Sequence, residues 1–273
     1  MSFLPVFERD PFLGLNPYPW DSPLGRHWHE IAASTLMYFI LQSLLSTYTP
    51  IYVGKPYLDL NRKTRINFDI HVVSMVQCIL SCAMIIPMWG QSHWQNRTED
   101  PVSSILGTTD YGNLVASLTI GYFIWDTYVC LRYFLLFGFG FLFHGIAALY
   151  VFVLCLWWPF CQPWIPGFLI FEASTPFVNI NWFASRLPKG TISGTVTVIN
   201  GILLMLTFFL VRIIWGFYSV ALVATDMWKT WSYHAWWIPS SVLAINVFLD
   251  VLNVFWFTRM IQIAKKQARA KRD

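Results

Sequence analysis

The sequence has little charge: Asp, Glu, Lys and Arg make up 12% of its 273 residues, while 56% are hydrophobic and the mean hydropathy is +0.51. That is about half the charged share of an ordinary soluble domain, so water is not its main solvent. It also lacks a cysteine framework. Cys78, Cys82, Cys130, Cys155 and Cys161 lie in or beside apolar runs without zinc-type or disulfide pairing, and are read as small buried hydrophobes. No Gly-x-x-x-x-Gly-Lys phosphate loop and no Gly-x-Ser-x-Gly elbow is present, which removes two large catalytic classes. The six histidines form no clustered pair inside an apolar run, so no metal site is expected. His27 and His29 flank Trp28 ahead of the first run, where snorkelling or surface packing is the expected role. The Pro- and Gly-rich stretch Asp10 to Leu24 has neither the basic nor the apolar region of a cleaved signal peptide. The first apolar run should therefore insert as an anchor.

Long apolar runs are abundant. A bilayer core needs roughly 20 apolar residues per helix, and seven runs qualify: Ile31 to Val53, Phe68 to Trp89, Leu114 to Arg132, Phe139 to Trp158, Gly167 to Phe183, Val196 to Val223 and Trp236 to Ile261. The expected fold is thus all-α, a polytopic membrane bundle of about seven helices. Trp89, Trp157, Trp158, Trp236 and Trp237 sit where runs meet polar loops, as interfacial aromatics do. The fifth run is short and contains Pro176, so a re-entrant loop competes with a span there.

Basic loops stay cytosolic, and the 18 cations divide unevenly. With the N-terminus outside, Lys55, Arg62, Lys63, Arg65, Arg132, Arg186, Lys189, Arg259, Lys265, Lys266, Arg269, Lys271 and Arg272 fall inside. Only Arg9, Arg26, Arg97 and Lys229 remain outside, and Arg212 lies within a run. This predicts a non-cytosolic N-terminus and a cytosolic C-terminus, and makes the net charge of +4 a topology signal instead of a nucleic-acid signature. A re-entrant fifth segment would move the basic tail outside, which favours a span. Asn96-Arg97-Thr98 is a glycosylation acceptor that would lie in a non-cytosolic loop in this topology. The tail from Lys265 to Arg272 reads as a topology anchor, with coat proteins or anionic lipid as alternative partners.

Ionisable groups at bilayer depth cost at least about 2.5 to 3.5 kcal/mol on insertion scales. Five consecutive runs nevertheless each carry one: Asp126, His144, Glu172, Arg212 and Asp250. Asn246, Asp250 and Asn253 share one helical face, as do Glu172, Thr175 and Asn179. A carboxylate from Asp126, Glu172 or Asp250 is the expected partner of Arg212. Asp69 and His71 read as interfacial groups. The set fits an interhelical network that only fixes packing. It equally fits a polar cavity for a lipid headgroup or acyl donor, with His144 as its reactive group and Glu172 orienting the imidazole.

The segments Gly121-Tyr122-Phe123-Ile124-Trp125-Asp126, Phe143-His144-Gly145-Ile146-Ala147-Ala148, Phe171-Glu172-Ala173-Ser174-Thr175-Pro176-Phe177-Val178-Asn179 and Asn181-Trp182 together resemble the TLC (TRAM, LAG, CLN) domain. The likeness runs from about Asn67 to Lys266, and is strongest to the small TLC-domain-containing transmembrane proteins. It implies a curved helical bundle of the endoplasmic reticulum or related membranes, engaged in lipid sensing, transport or synthesis. The chain then divides into a non-cytosolic segment (1–30), a first transmembrane helix with a cytosolic loop (31–66), the TLC domain (67–264) and a cytosolic basic tail (265–273). Ceramide synthases share the domain, and that likeness implies fatty-acyl transfer from acyl-CoA, with His144 at the place of the first His of their pair. Gly145 stands where their second His would be, and Thr175 replaces the partner of Glu172. No cofactor is expected beyond acyl-CoA as a substrate. Three readings remain: a lipid-binding, sensing or transport protein whose cavity uses Asp126, Arg212, Asn246, Asp250, Asn253 and Asn179; an acyltransferase using His144 and Glu172; and a non-enzymatic cargo receptor or structural protein. Membrane lipids are the expected partners, nucleic acid is not, and self-association stays open.

Overall fold

The computed structural model describes residues 7–18 and 20–269. Among these the secondary structure is entirely helical. The long elements are α1 (Trp28–Tyr52), α2 (Arg62–Ile85), α3 (Asp110–Arg132), α4 (Phe134–Trp157), α5 (Ile165–Leu169), α6 (Thr175–Arg186), α7 (Gly194–Phe208), α8 (Trp215–Lys229) and α9 (Trp237–Arg269). Side-chain oxygens start several of them. Asn61 accepts from the Thr64 amide ahead of α2, Thr109 from Gly112 ahead of α3, and Ser193 from Val196 ahead of α7, each satisfying an amide that has no partner within the helix. Gly138 (φ 75°) interrupts the first turns of α4, in a backbone region that favours glycine. The straight part of α4 therefore begins at Phe139, where the fourth apolar run was placed.

Six helices are long and apolar enough to cross a membrane, one fewer than expected. The exception is the fifth run, which is not one helix. α5 passes through a 3-10 turn, Ile170–Ser174, into α6, and Pro176 sits in the first turn of α6, where its missing N–H breaks no helical bond. This composite still traverses the bundle. At one end Trp164 packs edge-on against Trp94, and the Trp215 indole donates to the Gly167 carbonyl at 2.6 Å. At the other, Trp182 and Phe183 meet Phe68. The segment thus runs antiparallel to α2 along its length.

The described ends of the chain emerge on opposite faces of the bundle. On one, here the N face, the Phe7 carbonyl accepts from Gln91 and the Glu8 carbonyl from the Tyr111 amide. The other, the C face, carries Arg132, Arg186, Arg259 and the end of α9. There Tyr57, in the short helix Lys55–Leu58, donates to buried Asp69 at 3.1 Å, and burial with that carboxylate pushes the phenol up to about 12. Residues 267–269 are described in backbone only, and 270–273, the last part of the expected basic tail, lie outside the described residues.

α3 is the most buried span, with α1 and α4 packed along it. Small residues allow the approach: a Cβ at Gly121 would meet the Ser34 Cβ at 2.5 Å, and the Ser34 hydroxyl donates to the Leu118 carbonyl at 2.7 Å, as in other closely packed membrane helices. The outer faces are apolar, with Leu36, Ile40 and Leu44 on α1, Ile199, Ile202 and Leu206 on α7, and Val247 and Val251 on α9 all exposed. Hydrocarbon is the solvent those faces fit. All five cysteines are free, four of them buried.

Candidate functional site

Two cavities lie inside the bundle and share Phe123, His144, Glu172 and Arg212. One, of about 110 Å³, extends toward the N face between Cys161, Trp164, Met227 and Asp250. The other, of about 360 Å³, extends toward the C face between Asp126, His71, Asn179, Arg259 and Ile263. The larger falls within the range that holds small-molecule ligands, roughly 300 to 1,000 Å³. Apolar and aromatic walls thus converge on a polar waist.

Arg212 stands at that waist. It projects from a π-helical turn, Phe209–Ile214, that joins α7 to α8 and replaces regular helix at that point. Such insertions re-aim a side chain and recur at functional sites. Arg212 as a whole is 9% exposed. Its Nε donates to Ser174 Oγ at 2.8 Å and one terminal nitrogen donates to Thr175 Oγ1 at 3.3 Å. The rings of Phe208 and Phe171 lie 5.3 and 5.9 Å away. Among the described residues no carboxylate comes within 4.0 Å of it. The expected ion pair with Asp126, Glu172 or Asp250 is therefore not formed. Two hydroxyls from the adjoining 3-10 turn and helix start take that place, because the break before α6 turns Ser174 and Thr175 toward α7.

His144 borders both cavities, with Phe123 and Trp256 set edge-on against its ring. Its Nδ1 is buried without a hydrogen-bond partner. Glu172 lines the same waist but makes no hydrogen bond to the imidazole among the described contacts, so the orienting role expected of it is not seen. Asp126 lies across from Gly145: a Cβ there would meet Asp126 Oδ2 at 2.7 Å and Thr127 Oγ1 at 3.2 Å. The position of a second histidine is thus occupied by the Asp126 carboxylate.

The face shared by Asn246, Asp250 and Asn253 lines the smaller cavity, and all three are buried. Asn246 donates to its own helix at the Val242 carbonyl. Asn179 meets α2 instead, 2.7 Å from His71 Nδ1 and donating to Ser74 at 3.3 Å, while His71 stacks on Trp182. His71 borders the larger cavity, deeper in the site than an interfacial group. Ser174 was also missed as a site residue, since a serine beside Thr175 carries no sign of which helix it will face. Asn96 is exposed on the N face.

A second correction concerns the N-terminal histidines. His27 is 1% exposed, with its Nδ1 at 2.9 Å from Glu30 Oε2 and 3.4 Å from Asp10 Oδ2. Neither snorkelling nor surface packing describes it.

Comparison with known proteins accords with this architecture. The profile of the TLC domain matches residues 67–262. Topoisomerase I damage affected protein 4 of Saccharomyces cerevisiae is 40% identical, with 95% of this chain and 92% of that protein aligned. A TLC domain-containing protein of Schizosaccharomyces pombe is 34% identical over 91% of this chain and 82% of its own length. Human TLC domain-containing protein 4 is 28% identical over 86% and 88%. Apolar crossings, a matching family profile across most of the chain and relatives aligned nearly end to end lead to one statement: this is a multi-pass membrane protein that belongs to the TLC domain family.

Proposed function

We propose that the protein binds an amphiphilic lipid within the bundle and serves membrane lipid homeostasis as a binding, sensing or transport protein. The observation that carries this reading is Arg212, a cation at the junction of two apolar cavities whose protein partners are neutral hydroxyls and rings. A guanidinium held out of water favours an anionic partner strongly, so the headgroup or carboxyl of the ligand belongs at Arg212 and its chains along the apolar walls. Purification in a mild detergent followed by mass spectrometry of extracted lipid tests this. One anionic lipid enriched over the bulk membrane composition is expected; a lipid profile indistinguishable from bulk would reject the reading.

A second reading, acyl transfer, is favoured by the unpartnered Nδ1 of His144 inside the cavity. A neutral imidazole there suits a base or an acyl carrier, with acyl-CoA as donor. Incubation with acyl-CoA and sphingoid or glycerolipid acceptors decides it, because turnover that survives His144→Ala removes the residue from the chemistry.

For localisation we infer the endoplasmic reticulum, with the N face lumenal and the C face, which carries most of the cations, cytosolic. Exposure of Asn96 on the N face supports glycosylation there. The expected result is a mobility shift on endoglycosidase treatment that is absent in Asn96→Gln. A shift produced only by an acceptor engineered beside Lys189 would reverse the orientation.

A further inference from the structure

Outside the lipid cavity, the N face holds a cluster that the fold assembles from two separate stretches of chain. Asp10 belongs to the N-terminal segment, and His27 and Glu30 to the start of α1. One ligand-type atom from each lies within 4.8 Å of the other two. The side chains of Asp10, His27 and Glu30 are 0%, 1% and 3% exposed.

Two carboxylates and one imidazole are an unbalanced set. Even a protonated His27 neutralises only one of the two acids, and the next imidazole, His29, stands 3.6 Å from Glu30 Oε1, beyond hydrogen-bond reach. Asp10 Oδ1 accepts from the Phe12 amide at 2.7 Å, but its Oδ2 is buried without a hydrogen-bond partner, and so is Glu30 Oε1. Orphaned buried carboxylate oxygens are costly unless a cation meets them.

The spacing suits a metal ion. Ligand atoms at about 2.0 to 2.2 Å from a tetrahedral centre stand roughly 3.3 to 3.6 Å apart; His27 Nδ1 lies 3.4 Å from Asp10 Oδ2, and the 2.9 Å hydrogen bond it shares with Glu30 Oε2 is the contact a bound ion would replace. His29 adds a neighbouring imidazole, its Nε2 at 3.6 Å from Glu30 Oε1 and at 3.1 Å from the Phe12 carbonyl. An imidazole with two carboxylates favours zinc and its first-row neighbours over calcium or magnesium. We propose that Asp10, His27 and Glu30 bind a divalent transition-metal ion of the zinc class, which fastens the N-terminal segment to the first turn of α1.

The test uses the full chain without a polyhistidine tag, stripped with chelator in detergent and titrated with Zn²⁺ against a chromogenic chelator. The expected result is one Zn²⁺ per chain at micromolar affinity or tighter, with a raised Tm. The near-isosteric Asp10→Asn and Glu30→Gln should each weaken binding at least roughly 100-fold, as loss of a ligand does more than loss of a ligand's hydrogen-bond partner. Absence of binding to the wild-type chain, or equal binding by folded variants, overturns the proposal. Should the variants not fold, modification of His27 by diethyl pyrocarbonate in the wild-type chain decides. Protection by Zn²⁺ supports the site, and labelling unaffected by Zn²⁺ overturns it.

Discussion

Arg212→Met is expected to stabilise the lipid-free protein while weakening lipid binding by roughly 10- to 150-fold. Both halves follow from the environment of the guanidinium. Among the described residues its polar partners are the Ser174 and Thr175 hydroxyls, and Ser174 in turn gives its own proton to the Phe171 carbonyl at 3.0 Å. Neutral hydroxyls offset little of the free energy of taking a cation out of water. Replacing buried charge by a well-packed apolar side chain of similar volume commonly stabilises by about 1 to 4 kcal/mol, and methionine can follow the path of the arginine stem between Phe171 and Phe208. Lipid binding responds in the opposite sense. A hydrogen bond to a charged group contributes about 1.5 to 3 kcal/mol, which sets the stated loss. Thermal unfolding of delipidated protein, paired with native mass spectrometry of added anionic lipid, reads both quantities. A variant that is less stable yet binds lipid as well as the parent would make Arg212 a packing residue and sink the headgroup assignment.

Gly145→His is expected to disrupt the bundle, not to create a ceramide-synthase-like pair. The obstacle is the Asp126 carboxylate, whose Oδ2 would lie 2.7 Å from the new Cβ, with Thr127 Oγ1 at 3.2 Å behind it. Because the nearest atom ends a short side chain, Gly145→Ala can be absorbed by rotation of Asp126. An imidazole cannot, since it must also displace Thr127 at the tight α3–α4 contact. Overpacking of this kind costs about 1 to 3 kcal/mol, and an additional polar ring at bilayer depth adds to it. The expected series in detergent is therefore a small Tm loss for Gly145→Ala and a large loss or aggregation for Gly145→His, without acyl transfer in either. A stable Gly145→His protein with acyltransferase activity would show that this position is an open catalytic place.

Much of the architecture was legible in the sequence because membrane insertion is decided by local composition. Six of the seven apolar runs became continuous helical spans, the sixth with a π-helical turn inside it, and the position of Phe139 marked where α4 straightens. The fifth run was legible as an apolar segment of the bundle but not as a composite. Pro176 signals a break, yet whether a broken segment turns back or continues depends on its packing against α2, through contacts such as Asn179 with His71 and Phe183 with Phe68. The site was legible as a set and illegible as a geometry. Asp126, His144, Glu172, Arg212 and Asp250 all line the cavities, because an ionisable group in hydrocarbon must turn inward.

By itself the sequence determined that this chain lives in a bilayer as an all-helical, multi-pass bundle and which polar groups face inward, since hydropathy and helical period are properties of neighbouring residues. Only the tertiary structure decided which groups meet. Arg212 takes its partners from 37 and 38 residues away and not from a carboxylate. Asp126 fills the space above Gly145, and Asp10 folds back onto His27 and Glu30. Those pairings rest on where separate helices touch, and helix contact is set by the shapes of whole faces, to which no single residue's chemistry is a guide.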